Sequence, residues 1–242
     1  MNDGAGKMSE DVDNLILLPG LLCDERLWAA QTKGLAASAR VITPDLTGYE
    51  SIESMADGVV DQVPGEFSLA GFSMGGCVAL EVLARAAERI RRLALLSTSP
   101  KGILPAVQKH YLDSIASIEA GGLDGYLADA FPLYVAPVRA HDSALWNIFA
   151  AMAKSLGPAV AVRQMHSLLA YRGFRGNLDR IACPTVIICG REDRRTPVAV
   201  HEEMAGQIPG AKLRVIERAG HFTPLEEPQA VTDTLLDWLY AS

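Results

Sequence analysis

The chain has 242 residues, 49% of them hydrophobic and 21% charged, which is enough apolar material for one well-buried domain and too much for a disordered or fibrous chain. A formal net charge of −7 argues against a nucleic-acid partner, because phosphates call for a basic patch. The pairs Arg91-Arg92 and Arg194-Arg195 are accordingly expected to be solvated surface charges rather than phosphate clamps.

In chain order, residues 1–14 are polar and acidic, which fits a disordered leader and neither a secretory signal nor an anchor. Leu15 to Leu18 is an apolar run stopped by Pro19-Gly20, the mark of a strand buried on both faces. Similar runs follow at Arg40 to Thr43, Phe67 to Ala70, Arg92 to Leu96, Thr185 to Cys189 and Leu213 to Ile216. Between Cys77 and Ile90, apolar residues recur at helical spacing. Strand and helix thus alternate, predicting an α/β fold with a doubly wound, mainly parallel sheet of about six strands.

The interval from about 101 to 170 breaks the rhythm, with helical segments such as Ala144 to Leu156 and no convincing strand. It is expected to be a helical lid inserted into a single domain spanning 15–242. No apolar run approaches the roughly 20 residues that cross a bilayer. Cys23, Cys77, Cys183 and Cys189 show no CxxC pair or metal-ligand spacing, so they are read as reduced thiols of a cytoplasmic protein with no metal and no cofactor.

Gly71-Phe72-Ser73-Met74-Gly75 matches G-x-S-x-G. Composition alone would produce that pattern in about one chain in ten of this length, so its context carries the weight. An apolar strand leads into Ser73 and an amphipathic helix leads out, the setting that lifts a strained serine to the carboxyl edge of a sheet. Gly71 and Gly75 are needed because side chains there would collide across so sharp a turn. A serine hydroxyl needs a base, and histidine suits that task near neutrality. His110, His141 and His166 fall in the lid segment, and His201 in a helical stretch where a solvent-facing role is expected. His221 follows the last strand, at the same sheet edge as Ser73. The imidazole needs an acceptor on its other nitrogen; Gly190-Arg191-Glu192-Asp193 supplies two carboxylates after the preceding strand, with Asp193 preferred and Glu192 the competitor.

The order Ser73, Asp193, His221, with G-x-x-D after one strand and G-H after the last, resembles the α/β-hydrolase superfamily from Leu15 to about Leu239. The resemblance implies an oxyanion hole of two backbone N–H groups, from Met74 and from Leu21 or its neighbour Leu22. Many relatives carry His-Gly where this chain has Pro19-Gly20, and the two antiparallel strands that usually open the fold are missing. It further implies acyl transfer to water from an ester, thioester or lactone of a small to medium, largely apolar small-molecule substrate. Leu22, Trp28, Phe131, Trp146 and Phe222 are candidates to line an apolar substrate pocket, with Leu133 and Phe149 beside them. Two alternatives stay open. The same triad serves carbon–carbon hydrolysis or a lyase step on a dicarbonyl or succinyl substrate, for which Arg139, Arg163 or Arg172 would bind the acid; or the fold serves as a ligand-sensing receptor.

Overall fold

The computed structural model describes residues 13–241. Most of the leader expected over 1–14 lies outside them, and Asn14 already opens the first strand. Six strands form one sheet: β1 (Asn14–Leu18), β2 (Arg40–Ile42), β3 (Phe67–Phe72), β4 (Ile90–Leu96), β5 (Thr185–Gly190) and β6 (Lys212–Ile216). All pairings are parallel, in the order β2-β1-β3-β4-β5-β6. β3 and β5 are buried at every residue, which is why both read as continuous apolar runs. β6 lies at an edge and alternates exposed and covered positions.

The helices are α1 (Ala29–Leu35), α2 (Ile52–Gln62), α3 (Met74–Ala86), α4 (Pro105–Glu119), α5 (Leu123–Tyr134), α6 (Ser143–Ala170), α7 (Val198–Gln207), α8 (Thr223–Glu226) and α9 (Pro228–Leu239). The chain leaves β1 in one direction for β2 and then crosses back over β1 to β3, after which it runs steadily to β6. Right-handed crossovers in opposite directions put α1 and α3 on opposite faces. α2 packs with α3, and α9 with α1. The order reverses between β1 and β3, and it is outside the carboxyl ends of such a pair that an open α/β sheet binds ligands.

Helices α4, α5 and α6 sit between β4 and β5 with no strand among them. The chain enters and leaves this insertion through a narrow neck. Lys101 bridges Gly173 in antiparallel fashion, and the Phe174 amide donates to Pro100 O at 2.8 Å. Gly102 has no room for a side chain there, since a Cβ would sit 2.4 Å from Tyr171 O. α6 corrects the sequence reading on one point: by length and composition it is apolar enough to cross a bilayer. It is interrupted at Gly157 (φ 81°, ψ 172°), just before Pro158, where the missing N–H of proline favours a kink. Its buried side chains, among them Leu145, Phe149, Met152, Met165 and Leu168, belong to the common core.

Candidate active site

Ser73 stands where β3 ends and α3 begins, in a conformation (φ 52°, ψ −115°) that side-chain-bearing residues seldom adopt. The turn is tight for atomic reasons. A Cβ on Gly71 would lie 2.3 Å from Gly75 O, and one on Gly75 would lie 2.3 Å from Leu18 O on the neighbouring strand. The Ser73 amide donates to Leu96 O at 2.9 Å, and the Thr98 hydroxyl donates to Ser73 O at 2.8 Å. Thr98 is itself fixed, its N–H donating to His201 Nε2 at 3.1 Å. His201 is therefore not a solvent-facing helical residue: it is fully buried, and desolvation of its charged form pushes its pKa below the ordinary value. His110, His141 and His166 are all exposed on the insertion.

His221 lies in the loop after β6. Its amide and that of Phe222 both donate to Tyr134 O, at 2.8 and 3.0 Å. Just before it, the Gly220 amide donates to the buried Glu226 carboxylate at 2.9 Å, which also accepts from Ala136 N at 2.7 Å. Glu226 thus ties the histidine loop to the chain just after α5 in the insertion, and burial raises its pKa against those two donors. Gly190 lets the loops after β5 and β6 close on each other, for a Cβ there would meet Gly220 O at 2.0 Å.

These elements bring three side chains into line. Ser73 Oγ is 2.9 Å from His221 Nε2, and His221 Nδ1 is 2.9 Å from Asp193 Oδ2. Asp193 also accepts the Arg195 and Thr196 amides on Oδ1, at 2.8 and 2.9 Å, and the Thr196 hydroxyl on Oδ2 at 2.8 Å. Burial alone would raise the Asp193 pKa, but the His221 charge and these donors outweigh it and hold the carboxyl at about 2. An ionised Asp193 can only accept, so Nδ1 carries the imidazole proton and Nε2 is left to accept from the serine hydroxyl. Glu192, in the same turn, makes no hydrogen bond to His221; its amide donates to Ala219 O.

The loop after β1 approaches Ser73 because Gly20 has no side chain; a Cβ would fall 2.8 Å from the Phe72 ring. Leu22, at φ 56°, donates its N–H to Gln164 Oε1 of α6 at 2.9 Å. Among the described residues the Leu21 and Met74 amides donate no hydrogen bond. Both residues line the cavity that opens over Ser73.

That cavity holds about 410 Å³, well sized for a small or medium ligand. Of the five pocket candidates from the sequence, only Phe222 lines it. Leu22 and Trp28 are buried in the core, with the Trp28 ring edge-on to Phe72 at 6.5 Å. Phe131, Trp146 and Phe149 pack on one another at ring separations of 5.5 to 6.2 Å, and Leu133 is exposed. A helical insertion must bury a face to stay folded, and these aromatics provide that face. The lining instead includes Tyr111, Tyr134, Leu168, Tyr171, the exposed Arg194 and, against the expectation of a solvated charge, the half-buried Arg195. Arg139 pairs with Glu227, Arg163 donates to Thr47 O at 2.9 Å, and Arg172 is exposed; none of the three lines the cavity. Among the described residues no group of three His, Cys, Asp or Glu side chains is placed to hold a metal, and all four cysteines are free.

A serine at a strand–helix turn of a parallel sheet, with histidine and aspartate brought to it by the last two strand loops, is the arrangement of a hydrolase fold. The chain belongs to the alpha/beta hydrolase family, whose model matches residues 15–234. It is 28% identical, over 89% of this chain and 94% of the relative, to the pimeloyl-[acyl-carrier protein] methyl ester esterase of Aromatoleum aromaticum. Among solved structures it is similar to a thermophilic esterase from Thermogutta terrifontis, at a TM-score of 0.86 and 26% identity over 94% of this chain and 89% of that one. The enol-lactonase of Burkholderia xenovorans LB400 shares the fold, with a TM-score of 0.85 at 22% identity over 98% of this chain and 94% of that one.

Proposed function

We propose that the protein is a serine hydrolase that cleaves a carboxylic ester, thioester or lactone of a small to medium substrate through an acyl-enzyme. The observation that carries this reading is the unbroken line from Ser73 Oγ through His221 to Asp193, 2.9 Å at each step. In this reading His221 takes the serine proton as Ser73 attacks the carbonyl, and Asp193 holds the tautomer and stabilises the imidazolium. The free Leu21 and Met74 amides receive the oxyanion, and the amino-terminal end of α3 adds its dipole to theirs. His221 then returns the proton to the leaving group, and a water repeats the attack. The insertion of α4 to α6 acts as a lid, contributing Tyr111, Tyr134 and Leu168 to the cavity wall. Similarity to esterases, one acting on a methyl ester, supports ester-bond chemistry over other acyl transfers.

The test is hydrolysis of p-nitrophenyl esters from acetate to dodecanoate by wild type and Ser73→Ala. Wild type should turn over, with the best chain length sizing the cavity, and the variant should fall by several orders of magnitude, on the order of 10⁶ in kcat where a catalytic serine has been removed elsewhere. Equal inertness of both proteins would refute ester hydrolysis and favour the carbon–carbon or receptor alternatives.

A further inference from the structure

The chain carries 29 acidic against 22 basic side chains, yet the cavity over Ser73 has Lys101, Arg194 and Arg195 in its wall and no aspartate or glutamate. The three cations are not equivalent. Lys101 is matched by Glu203 at 2.7 Å, and exposed Arg194 donates to Pro132 O. Arg195 is half-buried, and among the described residues no carboxylate lies within ion-pair distance of it; other arginines, such as Arg85 and Arg191, do have such partners.

What surrounds Arg195 is aromatic. Its guanidinium lies 5.3 Å from the centre of the Tyr134 ring and 5.8 Å from that of Tyr111, and it donates to the Tyr111 hydroxyl at 3.0 Å. Ring faces and a phenol hold a cation in place without neutralising it. A cation taken partly out of water and given no counter-charge is costly to keep unless something anionic meets it. Its planar fork of donors suits a carboxylate in two-point contact.

Its position relative to the chemistry is also fixed. The Arg195 amide donates to Asp193 Oδ1, so the cation is anchored two residues from the triad acid. The Tyr134 ring that carries the guanidinium on one side lies 5.6 Å from the His221 ring. One aromatic ring therefore separates the guanidinium from the imidazole that serves Ser73. Building on the hydrolase reading above, we propose that Arg195 determines specificity by binding a carboxylate of the substrate, so that the preferred ester carries a carboxylate a few carbons from the scissile bond.

The carboxylate can belong to the acyl part or to the alcohol part, and two pairs of compounds separate these. Monomethyl glutarate is compared with its neutral isostere methyl 5-methylhexanoate, and 4-acetoxybutanoate with 4-methylpentyl acetate, by pH-stat titration. Wild type should favour the charged member of at least one pair by roughly 10- to 100-fold in kcat/KM, the scale of a charge-assisted contact in a sheltered site. Arg195→Met should bring that ratio to about one, while Arg195→Lys keeps part of it. The ratio cancels any general loss of activity in a variant. Should Arg195→Met not fold, Arg195→Lys and inhibition of wild type by glutarate still decide the matter. A wild-type ratio of one or less in both pairs, a ratio unchanged in the variants, or failure of glutarate to compete with the neutral ester would overturn the proposal. Hydrolysis of the neutral esters without such a preference would sink the carboxylate site alone; inertness toward all four compounds would sink the hydrolase reading and this inference with it.

Discussion

Replacing Asp193 by asparagine changes one atom and should reverse two hydrogen bonds. Oδ1 is pinned by two backbone amides, from Arg195 and Thr196, so the asparagine oxygen must take that place and its NH₂ must replace Oδ2. The Thr196 hydroxyl, 2.8 Å away, can rotate to accept. His221 Nδ1 at 2.9 Å can accept only by giving up its proton, which moves to Nε2 and points at Ser73 Oγ. The base is then in the wrong tautomer, a fault that costs about 10⁴ in kcat in a serine-protease triad, or about 5 kcal/mol of barrier. Stability should change less, because all four contacts survive, two of them with donor and acceptor exchanged; the loss of charge assistance is worth about 1–3 kcal/mol. The assay is kcat on a p-nitrophenyl ester beside a thermal melt, with Glu192→Gln as the control, whose rate should stay within roughly twofold as expected for a substitution away from any such contact. A folded Asp193→Asn enzyme within tenfold of wild type would refute this account of how His221 is oriented.

Two further predictions concern the scaffold. Gly75→Ala would set a methyl 2.3 Å from the Leu18 carbonyl, backbone that cannot swing aside, so it should cost about 2 kcal/mol or more and lower Tm by about 4–8 °C. Gly48→Ala, with nothing within 4 Å of the new atom, should leave Tm unchanged; equal melts for the two variants would contradict the packing argument. The second concerns pH. Burial depresses the His201 pKa from its ordinary 6.5, so its contribution to stability is complete above 6.5 and is lost as pH falls through the lower folded-state value. Asp193 behaves alike at lower pH, its contribution present above 3.8 and lost as pH falls toward about 2. Melts should therefore fall between pH 7 and 5, and His201→Gln, whose side-chain oxygen can still accept from Thr98, should flatten that part of the curve. An identical slope in the variant would show that His201 is not the group titrating.

The strands were legible because parallel strands covered on both faces leave uninterrupted apolar runs, and β3 and β5 are buried throughout. The G-x-S-x-G turn was legible because its glycines answer to backbone collisions that are local in sequence. The choice between Glu192 and Asp193 was not, since it depends on which carboxylate the turn points inward. His201 was misjudged because α7 buries only it and Met204, too narrow a stripe to show in the pattern. The pocket aromatics failed for another reason: helical spacing marks an apolar face without saying whether that face meets a cavity or another helix. For Arg195 a usable signal existed in its place two residues beyond Asp193, at the sheet edge where the reacting groups gather.

The neck at Lys101 and Gly173 makes the three-helix insertion a cassette. Because its two ends are already stitched together beside the sheet, a longer, shorter or rewritten insert would leave the span from β4 to β5 undisturbed, and the cost of closing a longer loop rises only slowly with its length. Most of the roof over Ser73 comes from that exchangeable piece, whereas Arg195 comes from the permanent floor, in the same turn as Asp193. Swapping in cassettes that keep Tyr111 and Tyr134, whose rings hold Arg195, should thus reshape the substrate's apolar portion while retaining its charge preference.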